Sequence, residues 1–436
     1  MSKIKLPQPL GIYAGPPGGL LLPLISREID KQEQEVELIK QLLSGAQVKL
    51  PQAWSFYEEA RGGNIDAALT ALSALEAELS ARVSESKSES KSESGSEQGW
   101  LIDFNRFVLN GDADLYKRLA AQLCAAELGL LEATAYLHGL SETPGDPANI
   151  ALAEGELKAY LLSTWAHFKL SHNPAEALQE LAAAAELVEE RSPIFAARLH
   201  GEWATTCGEQ VETNDAAIKH YRRALDLLED TAFQELRAEL ALELGMSCQL
   251  FSEGRRDKLL AATYAYQQAL LYFRREGPQP YNYGLAHMNL ALVYLSMPMN
   301  DEAERLRPAI AVQSLREALK VFTRESHPKM WASATLNLAN ALQHVPSTHN
   351  EANLWEAVAL YQDILEVRKE SDDALSYARV LANQGNALAH LGAFSRAEPI
   401  LIKALQIFQA NGDDSAAVIK EMLQEIGSRR SEVGNI

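Results

Sequence analysis

Asn289-Leu290-Ala291 returns as Asn337-Leu338-Ala339 and again as Asn383-Gln384-Gly385, at spacings of 48 and 46 residues. An aromatic residue stands six positions before each Asn (Tyr283, Trp331, Tyr377), and a large apolar residue stands five after it (Tyr294, Leu342, Leu388). Recurrence at a nearly fixed period is the mark of stacked helical hairpins, in which each unit buries its apolar face against its neighbours. Asn is a poor helix former, and an amide gains nothing in an apolar core. An Asn repeated in register along one face therefore suggests a row of donors and acceptors presented to something.

A second pattern runs beside the first. From about Ala151 the second helix of each expected hairpin has a small residue, a bulky one four later and a small one three after that. The set is Ala177/Leu181/Ala184, Ala217/Tyr221/Ala224, Ala262/Tyr266/Ala269, Ala311/Leu315/Ala318, Ala357/Tyr361/Ile364 and Ala397/Leu401/Ala404. Residues seven apart share one helix face. The small residues let a neighbouring helix come close while the bulky one fills the hole between them. Ala67/Ala71/Ala74 has similar spacing near the N-terminus. Periodicity near 3.6 runs throughout, and no alternating segment of period 2 is found, so the expected fold is all-α.

Composition agrees. The chain has 436 residues, 47% of them hydrophobic and only 7% aromatic. A solenoid can be that long as one body, because each repeat touches only its neighbours. The formal net charge is −19. Nucleic acid and anionic membrane both need a basic footprint, so neither is an expected partner; a neutral or basic protein surface is. No apolar stretch approaches the length of a membrane span. Cys124, Cys207 and Cys248 stand far apart in apolar helical contexts. That fits buried thiols in a reducing, cytoplasmic setting, and nothing near the start reads as a secretory signal.

Six stretches follow. Residues 1–23 form an extended arm; its Gly15–Gly19 segment, GPPGG, lacks the following Gly-Lys-Ser/Thr of a phosphate loop. Residues 24–83 hold N-terminal helices, one from about Pro23 to Leu43 and a hairpin over Gln52–Arg82 turning at Gly62-Gly63-Asn64. Residues 84–98, SESKSESKSESGSEQ, read as a low-complexity flexible linker, because Ser, Glu, Lys and Gly bury too little apolar area to offset ordering entropy. Residues 99–147 form a helical connecting region, broken near Asn110-Gly111-Asp112 and closed by the Pro/Gly loop Ser141–Pro147. The solenoid, about six hairpins, takes 148–412, and a capping helix and tail take 413–436.

These residues resemble the tetratricopeptide repeat family. Leu290-Ala291 with Tyr294, Leu244-Gly245 with Cys248, Gly385, and the Ala397/Leu401/Ala404 triplet carry the likeness over about 152–412, with a weaker echo over 52–80. The repeats are longer than the family's usual length, with extra residues in segments such as Ser296–Pro308 and Val345–Asn350. They look like the long repeats of bacterial sensor and adaptor proteins. The resemblance implies a right-handed α-solenoid, preceded here by an irregular helical N-terminal region. It also implies protein binding rather than catalysis, by an adaptor, scaffold or assembly chaperone that takes a peptide or helix in a concave groove. By the same resemblance Asn289, Asn337 and Asn383 face that groove, with Asn340 and Asn386 beside them and Arg379 on the same face. The family uses such Asn side chains to hold the backbone amides of an extended peptide. Two readings of the row stand side by side: a partner-binding row, or staples that fix hairpin spacing.

Other constellations carry less. His287, His344 and His390 recur about 50 residues apart, but without the close ligand spacing of a zinc site; no metal or cofactor is expected. No GxSxG, HExxH, GxGxxG or Cys/His signature occurs, and paired acids such as Asp372-Asp373 fall at helix or loop ends. The remaining alternatives are a regulatory or maturation factor whose partner docks on the N-terminal region and, with least support, an enzyme built on the inserted loops. The sequence leaves the oligomeric state open, a homo-oligomer included.

Overall fold

The structure is a computed structural model. It describes residues 12–13, 21–22, 38, 41, 49, 55–61, 64–85, 91–123, 125–190, 192–208, 214–231, 233–277, 279–297, 306–345 and 349–433. Among these the chain is all-α apart from two dipeptide strands. β1 (Ile12–Tyr13) pairs antiparallel with β2 (Leu21–Leu22), Ile12 opposite Leu22. Most of the N-terminal arm, most of the expected helix over 23–43 and the Gly62-Gly63 turn lie outside the described residues.

Among the described residues nineteen helices follow. The N-terminal set is α1 (Ser55–Arg61), α2 (Ile65–Glu85), α3 (Lys91–Asn110), α4 (Ala113–Ala120), α5 (Ala125–Leu137) and the short α6 (Ala148–Leu152). Six hairpins come next. They are α7 (Gly155–Lys169) with α8 (Pro174–Val188), α9 (Pro193–Gly208) with α10 (Asn214–Leu227), and α11 (Gln234–Leu250) with α12 (Arg256–Tyr272). The set continues with α13 (Pro280–Ser296) and α14 (Arg307–Ala318), α15 (Pro328–His344) and α16 (Asn350–Val367), α17 (Ala374–His390) and α18 (Phe394–Ala410). The final helix is α19 (Ser415–Val433).

The triplets explain the packing. Every residue of the six triplets is buried, from Ala177 to Ala404, with Tyr221 the most accessible at 2%. The facing positions on first helices are small for the same reason. A Cβ on Gly245 would lie 2.5 Å from Cε1 of Tyr266, so the ring has room only over glycine. Helix starts are set by local chemistry. Asn173 and Asp373 accept from backbone amides at the starts of α8 and α17, satisfying donors that have no intrahelical partner. The break after α3 is sharp because Gly111 adopts φ +63° and Asp112 then caps α4 through the amides of Asp114 and Leu115.

The structure adds detail to the sequence reading in three places. The N-terminal helix α2 buries Ala68, Leu72, Leu75 and Leu79, one position on from the expected Ala67/Ala71/Ala74. Three leucines outweigh small-residue spacing when a helix chooses its inward face. Within the expected linker 84–98, α2 continues to Glu85 and α3 begins at Lys91, while 86–90 lie outside the described residues. Glu, Lys and Gln are good helix formers, so the flanking helices extend into the segment. Finally, the chain forms two compact units, Met1–Leu240 and Ala241–Ile436, a division inside the stretch read as one solenoid. Repeat periodicity does not mark where a stack divides, since each repeat needs only its neighbour.

Each unit has its own core. In the first, Phe56, Tyr57, Phe104, Phe107 and Tyr160 anchor a cluster that runs on to Leu199. In the second, Phe322, Tyr361, Leu388 and Phe408 anchor a cluster from Met288 to Ile426. Within this second unit α13 touches α15, α15 touches α17, and α17 touches α19. First helices therefore form a continuous inner layer, and the Asn row lies on it.

Candidate functional site

The buried tyrosines of the second helices organise the polar groups of this layer. A tyrosine ring at the bulky triplet position is apolar payload, but its hydroxyl needs a partner once water is excluded. In the second unit, first helices supply that partner. The Tyr361 hydroxyl donates to Oδ1 of Asn340 at 2.6 Å and receives Nε2 of Gln343 at 2.6 Å. The Tyr266 hydroxyl donates to Oε1 of Gln249 at 2.7 Å and is hydrogen-bonded by Asn289. Burial pushes the phenol pKa of both rings upward, so they are neutral donors at every ordinary pH.

A neutral ladder grows from Tyr361. Asn383 donates its amide to Oδ1 of Asn340 at 2.9 Å, and Asn386 donates to Oε1 of Gln343 at 3.3 Å. Both rungs join residues 43 apart on α15 and α17. Gln384, buried on α17, reaches back to the Val358 carbonyl and Gln362 of α16. The structure thus brings Asn340, Asn383 and Asn386 into one network and ties Asn289 to a different tyrosine.

Asn337 stands apart: it is half-buried, and among the described residues its side chain has no hydrogen-bond partner. Arg379 is exposed and reaches Oδ2 of Asp413 at 3.5 Å. Next to this stretch, a cleft of about 400 Å³ opens between the N-terminal halves of α15 and α17. Lys329, Ser333, Arg368, Asp372, Asp373 and Ser376 are among its lining residues, and Ser333 is one helical turn before Asn337.

The histidine series does not gather. His287 is half-buried against the Tyr283 ring, with Nδ1 unpaired, and burial lowers its pKa; His344 and His390 are exposed. Among the described residues no group of His, Cys, Asp and Glu is arranged to hold a metal ion. Cys207 and Cys248 are buried and form no disulfide; Cys124 lies outside the described residues. No described helix is long and apolar enough to cross a membrane.

Sequence reasoning missed a charged cluster in the first unit. Nε2 of the buried His200 lies 2.8 Å from Oε1 of Glu189, and its Nδ1 lies 2.9 Å from Nδ1 of His220. Arg223 grips the same carboxylate with Nε at 3.2 Å and Nη2 at 2.6 Å. The His220 ring stacks on Trp203 at 3.8 Å, and the indole donates to the Leu178 carbonyl. The bond from Arg223, then that from His200, holds the Glu189 pKa down at about 2; burial and then the neighbouring His200 lower His220 to about 4. Glu189 is therefore an anion, and His220 neutral, near neutrality. These residues lie 11, 20 and 3 apart in sequence, matching no motif.

No protein-family profile matches the chain, and no curated protein matches it. Solved structures do resemble it in fold. It is similar to a signal-transduction ATPase with numerous domains from Pyrococcus horikoshii that carries a tetratricopeptide repeat sensor. There the identity is 14%, coverage is 91% of this chain and 55% of that one, and the TM-score is 0.47. It is also similar to the apo form of RapI, at 13% identity over 87% of this chain and 98% of that one, TM-score 0.44. BtubC (BKLC) from P. vanneervenii is 18% identical over 60% of this chain and 91% of that one, TM-score 0.38. These likenesses carry no family assignment; the triplet-packed hairpins themselves make the chain an all-α helical repeat protein.

Proposed function

We propose that this tetratricopeptide-like repeat protein is a protein-interaction module that holds a peptide or helix of its partner on the first-helix layer of the second unit. The observation that supports this best is Asn337, a half-buried amide in the Asn register with no hydrogen-bond partner among the described residues. An amide both donates and accepts, so it can meet a peptide group whatever the partner's sequence. The adjoining cleft and exposed Arg379 give a ligand further contacts. With a net charge of −19, the chain suits a neutral or basic partner. The role is that of an adaptor, scaffold or assembly chaperone in the cytoplasm, and it needs no cofactor and no catalytic step.

The test is selection of a phage-displayed library of random linear peptides on the full chain, followed by hydrogen exchange with the selected peptide bound. Added protection on α13, α15 and α17 is the expected result. Protection confined to α1–α6 would move the partner to the N-terminal region and overturn the reading.

A further inference from the structure

We propose that two copies of this chain pair through the outer face of α12, the two helices lying antiparallel about a two-fold axis between Ala265 and Tyr266. This goes beyond the peptide-binding reading and uses a different face of the repeats.

The starting point is an exposed seam. The exposed positions of α12 are Asp257, Leu260, Tyr264, Gln267 and Leu271. Their spacing alternates three and four, the heptad pattern by which one helix presents a stripe to another. Leu260 is 47% exposed, Tyr264 64% and Leu271 65%, so the stripe is open along its whole length. No Asp, Glu, Lys, Arg or His occurs from Leu259 to Phe273. The same register on α10, counted from the first small residue of the triplet, reads Asp215, Lys219, Arg222 and Asp226. Charges of that kind are what a solvated outer face carries. On α12 the four positions are Leu260, Tyr264, Gln267 and Leu271, which suits a face that another helix covers.

The seam complements itself. Under the two-fold, Leu260 meets Leu271 of the second copy, and Tyr264 meets Gln267. Gln267 already uses its Nε2 on the Tyr294 hydroxyl at 3.1 Å, so its Oε1 is the acceptor for the incoming phenol. Just past the apolar stripe, Asp257 meets Arg274, and symmetry makes this opposite-charge pair twice. Both residues are exposed, and Asp257 is held in its own chain only by Arg255 at 3.8 Å. Arg275, off the seam, keeps Glu276 of its own chain at 2.8 Å. A parallel pairing would instead set Asp257 against Asp257 and Arg274 against Arg274, and like charges in contact select against it. A single helix pair buries less than the roughly 1,200–2,000 Å² of a standard interface, so the expected dissociation constant is micromolar.

The experiment is sedimentation velocity on the full chain from about 1 to 100 μM, with folding checked by circular dichroism. A monomer–dimer equilibrium is expected, and Leu271→Glu should weaken it by about tenfold or more. Asp257→Arg and Arg274→Asp should each weaken it, by about threefold to tenfold. The double variant Asp257→Arg/Arg274→Asp should restore it, because the pair is only exchanged. If Leu271→Glu fails to fold, the charge-reversal series decides. A parent that stays monomeric to about 100 μM overturns the inference. So does a dimer that folded Leu271→Glu leaves intact, or one in which the two charge reversals do not restore each other. None of these results alters the peptide-binding reading, whose protected helices are α13, α15 and α17.

Discussion

The junction of α8, α9 and α10 in the first unit and that of α15, α16 and α17 in the second solve one problem with different chemistry. Each comes from hairpins with the same small–bulky–small packing, and each contains polar side chains away from bulk water. The first uses charge: Glu189 between Arg223 and His200, with His220 against His200 and Trp203. The second uses only neutral groups: Tyr361, Asn340, Gln343, Asn383 and Asn386. The repeat fixes where polar groups meet, while the side chains chosen decide whether the junction titrates.

The largest effect should come from removing the anion of the first junction. Glu189→Ala leaves His200 without its carboxylate and Arg223 without its two bonds. Breaking a fully buried pair costs about 3–5 kcal/mol, and partly exposed Glu189 should fall at or below the lower end. A melting midpoint within error of the parent would mean that solvent already screens the cluster.

In the neutral junction, Asn340→Ala strips an acceptor from both the Tyr361 hydroxyl and Asn383, and should cost about 1–3 kcal/mol by denaturant titration. Gly245→Ala belongs to the same range for a steric reason: its new methyl would press into the buried Tyr266 ring, and overpacking costs about 1–3 kcal/mol. Both losses should be independent of pH, since no group involved titrates near neutrality. A pH-dependent loss from Asn340→Ala would break the contrast between the junctions.

Acid should distinguish the two directly. The His220 pKa is about 4 in the fold against an ordinary 6.5. A lowered base pKa means that the unfolded chain takes up the proton first. Its stability contribution is fully present above pH 6.5 and is lost as pH falls toward 4. Glu189 adds to the loss lower down, between its ordinary 4.5 and about 2. Replacing His220 by Gln should flatten the upper part of this dependence, and a slope unchanged from pH 6.5 to 4 would place its origin elsewhere. The smallest effect is expected from Tyr361→Phe, which keeps the ring and loses the hydroxyl, at about 0.5–1.5 kcal/mol. A larger cost would make the ladder cooperative.

Most of the fold is legible in the sequence because it depends on local period. The six triplets name eighteen residues, and burial of all of them follows from helix geometry. The phase of α2 is missed because Ala67, Ala71 and Ala74 have the right spacing, whereas Leu72, Leu75 and Leu79 carry more apolar area. The Asn register is legible as recurrence, but its chemistry is not. Asn289 meets the Tyr266 hydroxyl 23 residues earlier, whereas Asn383 meets Asn340 43 residues earlier, so the partner cannot be read from the register. The Glu189–His200–His220–Arg223 cluster leaves even less trace, since its members come from three helix ends and faces that only packing aligns.

The two rungs of the neutral ladder have one further consequence. Asn340–Asn383 and Gln343–Asn386 share a single offset of 43 residues, so the ladder behaves as a translation rather than as a set of separate contacts. A tandem copy of a 43-residue segment beginning at Asn340 would present each rung with an identical successor. Such a chain should lengthen by whole hairpins without losing polar register, whereas an insertion of any other length in α16 would leave every later amide facing the wrong partner. The molecule carries its own ruler, graduated in side-chain amides.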